Sequence, residues 1–141
     1  MFVFLQGLVE DNFLVVVDTD DKSLYQIDLS DGTSWKLPLT EMVYPVGVAY
    51  NPVDARVYWT DVRADNIKRT YLNGTEEVVA ILSSGSVPGG IAIDFISELV
   101  YYTDDNADSV AVMTLDGKQH ITLLTGNMDE PRDIALDIAR G

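Results

Sequence analysis

The chain has 141 residues, no cysteine, one histidine and a formal charge of −14, from 23 acids against 9 bases. That length suits one domain, and 47% apolar content supplies a core, which argues against wholesale disorder. The acid excess argues against nucleic acid and anionic membrane as partners. The missing cysteines remove disulfides and thiolate sites, and a single histidine removes multi-histidine metal centres.

Met1–Val9 is apolar but lacks a basic start and runs into Glu10-Asp11 without a small-residue cleavage site, so it does not read as a secretion leader. No run reaches the ~18 apolar residues of a spanning helix. From there the chain repeats. Pro45, Pro88 and Pro131 are 43 residues apart, as are Ala49, Ala92 and Ala135. Laying 46–88 over 89–131 gives 11 identities in 43 positions. The units run over about 3–45, 46–88 and 89–131, and 132–141 starts a further one. The first fits more loosely, with Asp18 standing 43 before Asp61 and a one-residue insertion near Asp31.

Each unit reads as four short strands. In the second they are Val46–Tyr50, with alternating small residues, the β-prone Arg56–Asp61, the alternating Asn66–Leu72, and the apolar Glu77–Leu82. Asp31-Gly32, Asn73-Gly74 and Asp116-Gly117 are expected to form type I′ hairpin turns. No sustained helical period appears. Four antiparallel strands at this period describe an all-β propeller blade, which needs neighbours to cover both faces. Gly47, Ala49, Gly90 and Ala92 suit the crowded innermost strand. Tyr58, Trp59, Tyr101 and Tyr102 suit the spaces between blades, and these rings or their neighbours are expected on any blade face left open.

Tyr58-Trp59-Thr60-Asp61 resembles the signature of the LDL-receptor class B (YWTD) repeat, and Tyr101-Tyr102-Thr103-Asp104 is a close variant. Val15-Val16-Val17-Asp18 keeps only the aspartate. Pro88–Phe95 resembles the family's P-x-G-[LI]-A-x-D-[WF] strand, Leu72-Asn73-Gly74 its turn, and Pro131–Asp137 the strand opening the next unit. The resemblance covers roughly residues 13–141. It implies a partial six-bladed propeller of about three four-stranded antiparallel blades, the N-terminal half of a propeller and a fragment of a larger receptor. It also implies a non-catalytic, extracellular or cell-surface protein-binding module, as in lipoprotein receptors, Wnt co-receptors, nidogen and the EGF precursor. The expected partners are a protein ligand and either the remaining blades of the same polypeptide or a second copy. No cofactor or metal is expected.

Asp18, Asp61 and Asp104 are read as structural acids at strand ends, since a binding site seldom takes the same ligand from every repeat. Asp104-x-Asn106-x-Asp108 has the spacing of a calcium loop, but Ser109 and Leu115 stand where an EF-hand needs glycine and glutamate, so it reads as a solvated hairpin. His120 lacks a specific catalytic partner. Residues 85–90 hold glycines and serines without a phosphate-binding pattern and read as a loop between blades. Asn73-Gly74-Thr75 is an N-glycosylation sequon that coincides with a turn.

Turns between second and third strands, and connections between blades, share one face. On it the sequence places Asp20, Asp21, Lys22, Arg63, Asp65, Asp105, Asn106 and Asp108, with Met42, Tyr44, Met128, Asp129 and Glu130 on the connections. The resemblance implies that this is the ligand face, and acids with exposed Tyr and Met suit a basic or amphipathic protein; the equal alternative is that these acids only keep the surface soluble. Two other readings compete. One is a calcium-dependent six-bladed lactonase or esterase, whose ligands would come from non-equivalent positions. The other is a purely structural, self-assembling half-propeller.

Overall fold

The computed structural model describes residues 2–5 and 12–140. Most of the Met1–Val9 run and Glu10-Asp11 therefore lie outside the described residues. Among the described residues twelve strands form three antiparallel four-stranded sheets, each consecutive in the chain. Blade 1 holds β1 (Phe2–Leu5), β2 (Phe13–Asp18), β3 (Ser23–Asp28) and β4 (Ser34–Lys36). Blade 2 holds β5 (Pro45–Asn51), β6 (Arg56–Asp61), β7 (Asn66–Tyr71) and β8 (Val78–Ile81). Blade 3 holds β9 (Pro88–Asp94), β10 (Leu99–Asp104), β11 (Ser109–Thr114) and β12 (His120–Thr125). The chain is a partial β-propeller, and its only helical segment among the described residues is the 3₁₀ turn Ile138–Arg140.

The core lies between blades. Because strand side chains alternate, adjacent motif residues serve opposite sides of one blade. Trp59 packs with Val15, Val17, Leu24, Leu37, Met42 and Val48 between blades 1 and 2. Tyr58 packs with Ile67, Ile91, Val100, Tyr102 and Met113 between blades 2 and 3. Tyr58, Trp59 and Tyr102 are therefore buried rather than lining an open face. Of the four rings only Tyr101 points away from blade 2, beside Val112 and, through it, Ile121, which is 64% exposed.

Inner strands approach very closely. A Cβ on Gly47 would collide with the carbonyl oxygen of Gly89, and one on Gly90 with the backbone of Asp133. Residues 131–134 thus lie along β9 much as β9 lies along β5. Contrary to expectation, 131–137 forms no strand: among the described residues it has no ladder partner.

The hairpin turns also differ from type I′. Gly32, Gly74 and Gly117 have φ of 75°, 81° and 69°, but Asp31, Asn73 and Asp116 do not share that region. In blade 2 Gly74 N–H donates to Tyr71 O (2.9 Å) and Tyr71 N–H to Thr75 O (3.1 Å), closing a three-residue loop with the glycine in the left-handed region. The preceding acid or amide acts through its side chain. Asp31 Oδ1, Asn73 Oδ1 and Asp116 Oδ1 accept the N–H groups of Thr33, Thr75 and Lys118. In blade 1 Asp28 N–H reaches Thr33 O, so the loop is one residue longer, which accommodates the insertion near Asp31.

Candidate functional site: an axial cavity on the loop face

The motif residues hold this face in place. Asp61 is 1% exposed; its carboxylate accepts N–H bonds from Val43 (2.7 Å) and Tyr44 (2.9 Å) in the connection entering blade 2. It also accepts from Arg63 and Ala64 (both 3.2 Å) in the β6–β7 turn. Asp104 repeats the arrangement with Val87 N–H, Ala107 N–H and the hydroxyl of Ser86. Asp18 does not. It is exposed and, among the described residues, accepts Asp21 N–H alone. Thr60 Oγ1 accepts Gly47 N–H and donates to Gly89 O, both at 2.8 Å. Thr103 Oγ1 accepts Gly90 N–H at 2.9 Å.

Where the three blades converge, a cavity of about 540 Å³ opens on this face. It is lined by the acids Asp18, Asp20 and Asp105, by Tyr44 and Arg132, and by the apolar Val46, Val62 and Val87. Asp105 Oδ1 is buried without a hydrogen-bond partner among the described residues. Arg132 is paired with Glu130 at 2.6 Å, and that carboxylate, with a smaller pull from Asp105, raises the guanidinium pKa further. Tyr44 is 37% exposed, with the Arg63 guanidinium 4.7 Å from its ring centre.

Of the residues expected on the ligand face, Asp20, Tyr44 and Asp105 line the cavity, whereas Lys22, Arg63, Asp65, Asn106, Asp108 and Met128 do not. Lys22, Asp65 and Asp108 occupy equivalent left-handed turn positions, with φ of 53°, 49° and 44°. Asp65 Oδ2 accepts Gly85 N–H and Asp108 Oδ1 accepts Glu130 N–H, both at 3.3 Å, so these two acids brace the next connection. Met42 is buried at 6% exposure, packed between blades 1 and 2, and offers no surface to a ligand. His120 Nε2 lies 2.7 Å from Gly117 O and Nδ1 3.3 Å from the Tyr102 hydroxyl. Among the described residues no three His, Cys, Asp or Glu side chains stand close enough to hold a metal ion.

Sequence reasoning missed the cavity positions of Thr19, Val46, Val62, Val87, Gly89 and Arg132. The period contains the signal that finds them. Thr19, Val62 and Asp105 are one repeating position, Tyr44 and Val87 a second, and Val46, Gly89 and Arg132 a third. A propeller turns each repeating position into a ring around its axis.

Residues 55–95 and 98–138 match the low-density lipoprotein receptor repeat class B, in two copies starting 43 residues apart. The chain is 34% identical to the rabbit (Oryctolagus cuniculus) sortilin-related receptor over 77 residues, 55% of this chain and 3% of that one. It is 41% identical to human low-density lipoprotein receptor-related protein 4 over 49 residues, 35% of this chain and 3% of that one. The chain thus matches only a small part of each receptor's length. Among solved structures, a chain of the nidogen/laminin complex superposes with a TM-score of 0.87 at 23% identity, covering 98% of this chain and 52% of that chain. A catalytically inactive virginiamycin B lyase from Staphylococcus aureus, solved with quinupristin, superposes at 0.71 with 19% identity, over 90% of this chain and 43% of that one. At these identities both likenesses show the fold alone. The chain belongs to the low-density lipoprotein receptor class B repeat family.

Proposed function

We propose that this chain is a non-catalytic protein-binding module of a cell-surface receptor, working outside the cell. Its ligand is a protein with a basic or amphipathic surface, docked over the axial cavity. The observation that carries this reading is the cavity itself, walled by equivalent positions of successive units and presenting Asp18, Asp20 and Asp105 beside the Tyr44 ring. Three aspartates line the cavity against one arginine already paired with Glu130, so the cavity attracts cationic groups. Membership of a family whose matched relatives are receptors supports the same reading. So does the likeness to a chain solved in a protein–protein complex. No helix among the described residues is long and apolar enough to cross a membrane.

On this reading the three repeating units are 3–45, 46–88 and 89–131, and 132–141 begins another. Lys22, Arg63, Asn106 and Met128 form a rim around the cavity. A further blade, from the same polypeptide or a second copy, covers the outer face of blade 3 at Tyr101, Val112 and Ile121.

The test is a binding screen against secreted human proteins, comparing the chain with an Asp20→Lys/Asp105→Lys variant of matched thermal midpoint. Binders retained by the wild type and lost by the variant are expected. Binders that do not distinguish the two would overturn the assignment of this face.

A further inference from the structure

We propose that Asn73 is an N-glycosylation acceptor, modified on the end of blade 2 opposite the ligand cavity. This rests on the extracellular reading above. Asn73-Gly74-Thr75 has the acceptor spacing, which any asparagine turn could meet by chance. The structure adds three observations. Asn73 and Thr75 are both exposed. Asn73 Oδ1 is turned inward, accepting Thr75 N–H at 3.0 Å and Thr75 Oγ1–H at 2.7 Å, while its amide nitrogen has no partner among the described residues. The neighbouring units place a carboxylate oxygen where blade 2 has the amide oxygen: in the one-residue-longer turn of blade 1, Asp31 Oδ1 accepts Thr33 N–H and Oγ1–H at 2.8 and 2.7 Å. Asp116 Oδ1 likewise accepts Lys118 N–H at 3.1 Å. The turn therefore requires only the acceptor oxygen. In blade 2 alone the position carries an amide nitrogen that the fold does not use.

In the modification, Asn73 Nδ2 attacks the anomeric carbon of a polyprenyl-diphosphate-linked oligosaccharide. The C1–Nδ2 bond forms, the C1–O bond to the lipid diphosphate breaks, and Nδ2 gives up one proton. The site suits a bulky glycan that must leave ligand binding open. Asn73 lies in the β7–β8 turn and the cavity-lining Val62 in the β6–β7 turn, at opposite ends of β7. Six strand residues separate those ends by about 20 Å.

The experiment expresses the full chain behind a secretion leader in mammalian cells and reads intact mass, in medium and in the endoplasmic-reticulum fraction, before and after peptide-N-glycosidase. Wild type should carry a glycan that the enzyme removes. Asn73→Asp, which keeps the turn acceptor, and Thr75→Ala should both lack it, with Asn73→Asp holding the wild-type thermal midpoint. Wild-type chain from both fractions with Asn73 unmodified would overturn the proposal. Imaging of the natural protein in its own cells tests the extracellular reading separately. A chain glycosylated under the leader but resident inside the cell would sink that reading and leave the acceptor chemistry standing.

Discussion

The Thr60 hydroxyl donates to the Gly89 carbonyl at 2.8 Å, a bond between the second strand of blade 2 and the inner strand of blade 3. The same oxygen accepts Gly47 N–H, so one fully buried side chain joins two strands within its blade and the next blade to both. The third letter of the repeat motif is thus a blade-to-blade link. It works at this range because Gly47 lets the inner strands approach closely.

Thr60→Val keeps the shape and removes the hydroxyl, leaving a buried N–H and a buried C=O unpaired at about 1–3 kcal/mol each. Thr60→Ser keeps the hydroxyl and loses a methyl group, worth about 1 kcal/mol. Chemical denaturation should place the valine variant well below the serine variant. The reverse order would remove the link's importance.

Trp59→Ala should cost about 3–5 kcal/mol, since the ring is 0% exposed between blades 1 and 2. Arg63→Ala, on the exposed loop, should cost about 1 kcal/mol or less, even counting its stacking on Tyr44. Trp59→Phe should fall nearer to wild type than Trp59→Ala, because it keeps a large ring and the indole N–H it deletes has no hydrogen-bond partner among the described residues. Urea midpoints for the three variants check the ranking.

Asp61→Asn and Asp18→Asn separate two acids at the same position of the repeat. Asp61 accepts four backbone N–H groups, and replacing one carboxylate oxygen by a donor sets N–H against N–H, at about 1–3 kcal/mol or more. Asp18 is exposed with one such bond, so its change should stay within about 0.5 kcal/mol. Equal losses in thermal unfolding would contradict the asymmetry.

Asp21 governs part of the acid limb. The Tyr25 hydroxyl at 2.6 Å, and then the Lys36 ammonium at 3.0 Å, lower its pKa from 3.8 to about 2. Between those values the folded chain binds fewer protons than the unfolded one. Its contribution is therefore complete above about pH 4 and is lost as pH falls towards 2. Tyr25→Phe removes the larger cause. An NMR titration should then show the Asp21 midpoint moving up towards 3.8. An unmoved midpoint would assign the shift elsewhere.

As a separate 141-residue chain the protein should self-associate through the outer face of blade 3, where the half-buried Tyr101 and the 64%-exposed Ile121 flank the buried Val112. A charge of −14 per chain opposes this at low salt, where the screening length is ~30 Å at 0.01 M, and less so at 0.15 M, where it is ~8 Å. Sedimentation velocity should show a salt-promoted oligomer. Monomer at both salts would show that this face needs no cover.

The 43-residue period, the strand positions and the inner glycines were legible in the chain, because a repeat imposes the same local constraints in every copy. So was the family, since its motif recurs in two adjacent units. The chain alone did not show that Tyr58 and Trp59 face different neighbours, for alternation says that two sides exist but not what lies on each. Nor did it separate the exposed Asp18 from the buried Asp61, whose carboxylate holds Val43 and Tyr44 of the connection entering its blade. The type I′ expectation failed because the loop from Tyr71 to Thr75 holds three residues, which needs one positive φ, at Gly74, rather than two. The cavity was the least legible feature. Thr19, Val62 and Asp105 share a position but no chemistry. Only the arrangement of blades about an axis brings such unlike side chains together into one site.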